Sequence, residues 1–203
     1  EDDSMCERYY IAEEDSAAEL QEIISQINRK GKAVKRGEIF PSDTVPAIAN
    51  NKSLVPTPFA MPWGYTMPNG KLVINARSET AAEMPMFRDG LSQRRCLLPA
   101  SHYFEWEKRG KDKIKYAIKP KGADLLYMAS LYRIEGGAAR FTILTRQPAD
   151  AISFIHDRMP VILPSVAIQD WLNPNFDAND VIRTALTEVA FQPVQIMQQL
   201  QIL

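Results

Sequence analysis

Chemistry in this chain can come from only a few places. Histidine occurs twice, as His102 and His156. His156 lies in Phe154-Ile155-His156-Asp157-Arg158-Met159-Pro160, where an apolar stretch gives way to a polar turn. It is either a packing residue at the end of an element or a group that moves protons near neutral pH. Glu105 lies in Tyr103-Phe104-Glu105-Trp106, a carboxylate between aromatics on an expected strand. Alternation puts it on the opposite face from Phe104 and Trp106, an ordinary exposed position. Burial among aromatics would instead raise its pKa and suit it to proton transfer. The string Asn75-Ala76-Arg77-Ser78-Glu79-Thr80 is dense in polar groups as it leaves a strand, and turn chemistry accounts for it as readily as a site does.

Cys6 directly follows Met5. If translation starts at Met5 and the methionine is removed, Cys6 becomes the N-terminus, and Glu1 to Ser4 are a leader or expression remnant outside the argument. An N-terminal cysteine carries an amine and a thiol on adjacent carbons. The amine, with a reference pKa near 8, is partly neutral and nucleophilic at neutral pH. It can condense with an aldehyde, after which the thiol closes onto the imine carbon as a thiazolidine. The alternative is a reduced cysteine without function, a description that suits Cys96 in apolar Cys96-Leu97-Leu98. Cys6, Cys96, His102 and His156 do not fall at zinc-ligand spacings, so no metal site is expected. No glycine-rich phosphate loop, nucleotide fingerprint or paired-histidine zinc motif is present either.

The elements that must hold these residues follow from periodicity. Ser16 with Glu19 reads as a capping box, Leu20, Ile23, Ile24 and Ile27 recur at helical spacing, and Gly31 sits where a helix would end, giving a helix over about 16–30. Residues 38–64 hold Pro41, Pro46, Pro56, Pro58 and Pro62 and read as extended loop with short strand pieces. Lys71 to Ala76 reads as a short strand, and Ser78 onward as a polar turn or short helix. From Arg95 the pattern is β: Cys96–Trp106, Lys113–Ile118, Leu125–Ile134 and Arg140–Thr145, the last two joined across Gly136-Gly137, a hairpin signal. Pro148 can open a helix towards His156, short helices fit Ser165–Leu172 and Ala178–Leu186, and Phe191–Met197 reads as a closing strand. The expectation is one α+β domain over residues 5–203, a strongly bent, barrel-like antiparallel sheet flanked by short helices.

Composition narrows the class. The chain is 45% hydrophobic and 24% charged with a net charge of −1, a globular balance without a global field for nucleic acid. Two cysteines suit a reducing cytoplasm, and no run is long and apolar enough to read as a membrane span. Charge is uneven. Beyond residue 149 only Arg158 and Arg183 face six carboxylates, whereas Arg29, Lys30, Lys32, Lys35 and Arg36, and then Lys108 to Lys121, form basic clusters. These are solvated surface or a phosphate-tracking groove.

In order along the chain stand Met5-Cys6-Glu7-Arg8-Tyr9, Trp63-Gly64, Asn75-Ala76-Arg77-Ser78-Glu79-Thr80, Arg95-Cys96-Leu97-Leu98-Pro99-Ala100, Tyr103-Phe104-Glu105-Trp106 and His156-Asp157-Arg158-Met159-Pro160-Val161-Ile162-Leu163. The set resembles the SRAP family, the SOS response-associated peptidases or abasic-site processing proteins, from Met5 to at least Leu172. The resemblance implies an enzyme of the DNA-damage response that binds single-stranded DNA and links its N-terminal cysteine to the ring-opened aldehyde of an abasic site. No cofactor, metal or membrane partner is expected. Carried over, Cys6 is the nucleophile, Asn75 positions it and the opened sugar, His156 donates a proton in ring opening, and Glu105 moves protons in Schiff-base formation. Arg77 and Arg158 match positions that grip phosphates, Arg8 follows the cysteine as in the family, and Trp63 is placed to stack beside an unpaired base.

Glu7 and Tyr9 stand where the family has glycine and phenylalanine, His102 stands near the aromatic string, and Tyr65-Thr66-Met67-Pro68 follows Trp63-Gly64 in place of a second tryptophan. Two alternatives remain at this level. One is a cysteine peptidase, acting on other chains or only on itself, using Cys6 with His156 and Glu105. The other is a non-covalent single-strand-binding module using Arg77, Arg158 and the basic hairpin. A domain of this size would most simply act as a monomer.

Overall fold

The fold is described from a computed structural model covering residues 7–12 and 17–194. Chain order runs β1 (Arg8–Ile11), α1 (Ala18–Arg29), β2 (Gly37–Ile39), β3 (Thr44–Asn50), β4 (Pro56–Pro62), β5 (Tyr65–Thr66), β6 (Leu72–Val73), β7 (Asn75–Arg77), α2 (Pro85–Gln93), β8 (Arg95–Ala100), β9 (His102–Arg109), β10 (Asp112–Pro120), β11 (Leu126–Glu135) and β12 (Ala138–Arg146). There follow β13 (Met159–Pro160), β14 (Ile162–Leu163), α3 (Ile168–Leu172), α4 (Ala178–Ile182) and β15 (Val189–Pro193).

Two sheets share the load. The smaller has the order β15-β10-β9-β1-β2, the larger β13-β12-β11-β8-β3-β4, with β14 on β11 and β7 parallel to β12. The α+β architecture expected from the sequence is present, but the strands form two open sheets rather than a closed barrel. The single strand expected over 96–106 is two strands. The chain turns at Ser101, whose main-chain N–H donates to Tyr10 O at 2.9 Å and whose hydroxyl accepts Ala12 N–H at 3.1 Å. That corner hands the chain from the larger sheet to the smaller. All six residues of β8 are buried, with Cys96, Leu98 and Ala100 in one apolar cluster and Leu97 in a second.

Local chemistry accounts for most boundaries. In α1 the buried side chains are Leu20, Ile23, Ile24 and Ile27, the spacing that defines one helical face. Ser16, half of the expected capping box, lies outside the described residues. The proline-rich stretch is more regular than its composition suggests: β3 and β4 pair from Thr44↔Pro62 to Asn50↔Pro56. Pro56, Pro58 and Pro62 share one parity, so their missing N–H groups fall on one side of β4, which ends the sheet order, and the ladder to β3 survives. Gly136 and Gly137 both have positive φ, 55° and 84°, as a tight hairpin turn between β11 and β12 requires. The helix expected after Pro148 is only a 3-10 turn over Asp150–Ile152, and α4 stops at Ile182. Part of the expected closing strand, beyond residue 194, lies outside the described residues.

Candidate active site

β12 organises the site. Along one edge it pairs in parallel with β7, Ile143↔Asn75 and Thr145↔Arg77, and Thr145 also pairs with Pro160 of β13. The asparagine–arginine string and the turn that precedes β13 are therefore brought to the same end of one strand. Asn75 is half-buried with its carboxamide oxygen shielded, and Arg77 is exposed with no ion pair among the described residues.

The 156–158 turn is tied down twice. His156 Nδ1 accepts the main-chain N–H of Arg158 at 3.1 Å. A nitrogen that accepts cannot carry the proton of a neutral ring, so the neutral tautomer has its proton on Nε2. Asp157 Oδ1 also approaches Nδ1, at 3.0 Å. The Arg158 guanidinium forks onto Glu79 at 2.8 and 2.7 Å, and its Nη2 also donates to Thr145 O at 2.8 Å. Arg158 is 5% exposed, and the hydrogen bonds from it hold the Glu79 carboxyl below the usual carboxylate range. Arg158 in this structure is thus committed to the protein rather than presented to a phosphate. Glu79, quoted in the sequence string without a role, is its partner.

Glu105 is 4% exposed on β9, opposite Tyr116 of β10. Alternation holds, but the face of Glu105 is covered: Tyr103, Glu105 and Glu107 point inward, while Phe104, itself buried, and half-buried Trp106 lie on the other face with Arg8, Tyr10 and Lys115. Of the two readings of Glu105, burial is the correct one. Next to it Glu107 accepts from Tyr116 Oη at 2.9 Å and Arg109 Nε at 2.6 Å. The Tyr116 ring meets Phe154 edge-on at 6.0 Å, two residues from His156, which connects the smaller sheet to the histidine turn. Arg8 is on the opposite face of that sheet from Glu105, ion-paired with Glu38 at 3.1 Å.

The expectation that Trp63 stacks on a base is revised. Its side chain is fully buried, parallel to Phe141 at 6.2 Å and tilted against Tyr9 at 5.3 Å, leaving no ring face for a base. Its Nε1–H donates to Ile74 O at 3.0 Å, the carbonyl just before Asn75, and this fixes the strand that carries the asparagine. Gly64 follows at φ 103°, where an added Cβ would sit 3.1 Å from Leu72 Cβ, so the Trp-Gly pair is a packing unit. Cys6 lies outside the described residues, two positions before β1 by sequence. Among the described residues no group of three His, Cys, Asp or Glu side chains is placed to hold a metal ion. No described helix is long and apolar enough to cross a membrane.

Residues 5–200 match the family described as SOS response associated peptidase (SRAP). The chain is 34% identical over 186 residues to the abasic site processing protein YobE of Bacillus subtilis, covering 83% of this chain and 84% of that one. It is 34% identical over 200 residues to the abasic site processing protein YoaM of the same species, with 90% and 85% covered. A solved structure of a protein from Bacteroides thetaiotaomicron shares the fold, with a TM-score of 0.77 at 21% identity over 94% of this chain and 92% of its own. By sequence, and with a matching fold, this chain belongs to the SRAP family.

Proposed function

We propose that this protein processes abasic sites in single-stranded DNA by capturing them covalently through Cys6, as part of a DNA-damage response. The observation that carries the reading is the pairing of both β7 and β13 with Thr145, which puts the Asn75-Arg77 and His156-Arg158 strings at one end of β12. The similar proteins of Bacillus subtilis named for abasic site processing supply the substrate class.

The chemistry balances without oxidant or cofactor. The open form of an abasic sugar carries an aldehyde. The neutral Cys6 amine adds to that carbon and water leaves, giving an imine. The thiol then adds across the C=N bond, sulfur bonding to carbon and the proton passing to nitrogen, to close a thiazolidine. His156, with its proton on Nε2, is the donor to the sugar oxygen as the ring opens. Buried Glu105 carries protons between amine and leaving water, and Asn75 holds the opened sugar. Arg77, exposed beside Asn75, is the phosphate-binding cation. Arg158 and Trp63 are positioning residues, one for His156 and the other for Asn75. A reducing cytoplasm would keep the thiol available.

The test uses protein started at Met5, with methionine removal confirmed by intact mass, beside a Cys6→Ala variant. Each is mixed with a single-stranded oligonucleotide carrying one abasic site and run on a denaturing gel. A shifted band from the Cys6 protein alone is expected. A band of equal intensity from Cys6→Ala would overturn the assignment of the nucleophile.

A further inference from the structure

On the outer face of the smaller sheet Arg8, Phe104 and Trp106, which belong to the family strings, are joined by Glu38 and Lys115, which have no role in the reading above. Glu38 Oε1 accepts from Arg8 Nη1 at 3.1 Å and from Lys115 Nζ at 2.7 Å. Both cations lie on aromatic rings. Arg8 is 3.8 Å from the centre of Phe40 and 5.9 Å from that of Trp106, and Lys115 is 3.8 Å from Phe104 and 5.5 Å from Trp106. Lys35 also lies over Phe40, at 4.7 Å, where it is ion-paired with Asp43 at 2.6 Å. Two cations thus converge on a single carboxylate oxygen, half-exposed to solvent and held by cation–π contacts that need no carboxylate. Burial disfavours the Glu38 charge, but Lys115 and then Arg8 outweigh it and keep the carboxyl ionised below the usual range. The same face continues past Tyr10 stacked on His102 at 5.0 Å to Lys119, beside a cavity of about 320 Å³.

We infer that Arg8 and Lys115 form a phosphate-binding site on this face and that Glu38 is its resident anion, which a DNA phosphate must displace. The inference rests on the DNA reading above and adds a residue that sets affinity. An oxygen held between two cations is a position a phosphodiester oxygen can take, and although Asp43 pairs with Lys35 at 2.6 Å and Asp124 lines the cavity beside Lys119, Arg8 and Lys115 together still outnumber Glu38, the one carboxylate between them. Trp106, half-buried between the two cations, offers a ring to a base on the bound strand. Glu38 holds the cations in place when DNA is absent and competes with the backbone when it is present.

The experiment measures fluorescence anisotropy of an intact oligothymidylate over a salt series, so that no covalent capture is involved. Glu38→Gln is expected to bind at least about fivefold more tightly, with log affinity falling more steeply against log salt by about 0.7 for one further phosphate contact. Asp180→Asn makes the same charge change while freeing Arg183, the residue after α4, a helix that packs on the second apolar cluster rather than on the smaller sheet, and is expected to leave affinity within about twofold. Lys115→Gln added to Glu38→Gln is expected to remove the gain. Lys115→Gln alone is expected to weaken binding and flatten the slope by a similar amount, and it keeps the test open if Glu38→Gln folds poorly. Unchanged or weaker binding by a folded Glu38→Gln variant, an equal gain in Asp180→Asn, or an unchanged slope in Lys115→Gln would each overturn the site. Failure of abasic capture would leave these measurements standing, and their failure would leave capture standing.

Discussion

His156 and Glu79 are held to each other through one residue, Arg158, whose main chain donates to the imidazole at 3.1 Å while its guanidinium forks onto the carboxylate at 2.8 and 2.7 Å. Glu79 lies two residues beyond Arg77 on the far side of β12, so the fork fastens the histidine turn to the strand that carries the asparagine and the exposed arginine.

Glu79→Ala would leave the Arg158 charge buried with only Thr145 for company. Removing one partner of a fully buried pair costs roughly 3–5 kcal/mol, and because Glu79 is partly exposed the expected loss is nearer about 2 kcal/mol. Urea unfolding measures it. The crosslinking rate should fall as well, since His156 loses its anchor, whereas Arg158→Lys, which keeps the charge without the fork, should recover part of the stability and little of the rate.

Trp63→Phe preserves an aromatic ring in the core but removes the donor to Ile74 O. The expected cost is about 1–3 kcal/mol from lost volume and one lost hydrogen bond, Ile74 O keeping the Ile143 N–H at 3.0 Å. Binding of intact single-stranded DNA should be unchanged and abasic crosslinking slower, because the variant loosens the Asn75 strand rather than a base contact. Weaker binding of intact DNA by a fully folded variant would restore a stacking role.

His102 gives the protein an acid-sensitive point outside the catalytic strings. Burial, Lys119 and then Lys115 push its imidazole down to about 4 from an ordinary 6.5. Between those values the unfolded chain binds a proton that the folded chain does not, so stability falls as pH is lowered through this window and is fully recovered above it. Urea midpoints at about pH 7.5 and about pH 5 should converge in His102→Phe relative to the parent protein. An unchanged difference would show that other groups carry the acid sensitivity.

Cys96 is fully buried, and burial pushes its thiol well above the ordinary range. In a Cys6→Ala background the folded protein should therefore resist maleimide labelling and react fully in urea. Rapid labelling of the folded protein would contradict the packing of β8.

What the sequence disclosed and what it withheld divides by distance along the chain. The apolar face of α1 and the Gly136-Gly137 turn are local signals, and both elements stand where periodicity and turn chemistry put them. The strings around Asn75 and His156 were legible as residues, and their meeting at Thr145 required the β12 pairings. The Ser101 corner has no glycine to announce it, and Pro99 lies inside β8; the corner is specified by a hydrogen-bonded fit to Tyr10 of β1 and to Ala12 just after it. Glu105 shows the limit of alternation, which separates two faces without saying which one is covered. The Glu38 bridge and the Glu79 fork join residues far apart in sequence, so no local pattern could pair them. Trp63 was visible as a site residue, and only its burial shows that it acts through Ile74.

The most direct test of the account is peptide-level mass spectrometry of the adduct. Protein with Cys6 as its N-terminus is reacted with an abasic single strand, digested with nuclease and protease, and sequenced. The account predicts the sugar remnant on the peptide beginning Cys6-Glu7-Arg8, with a mass corresponding to loss of one water and with no free thiol. A remnant on a lysine, or an unmodified Cys6 peptide from a protein that still forms a denaturant-stable complex, would contradict it.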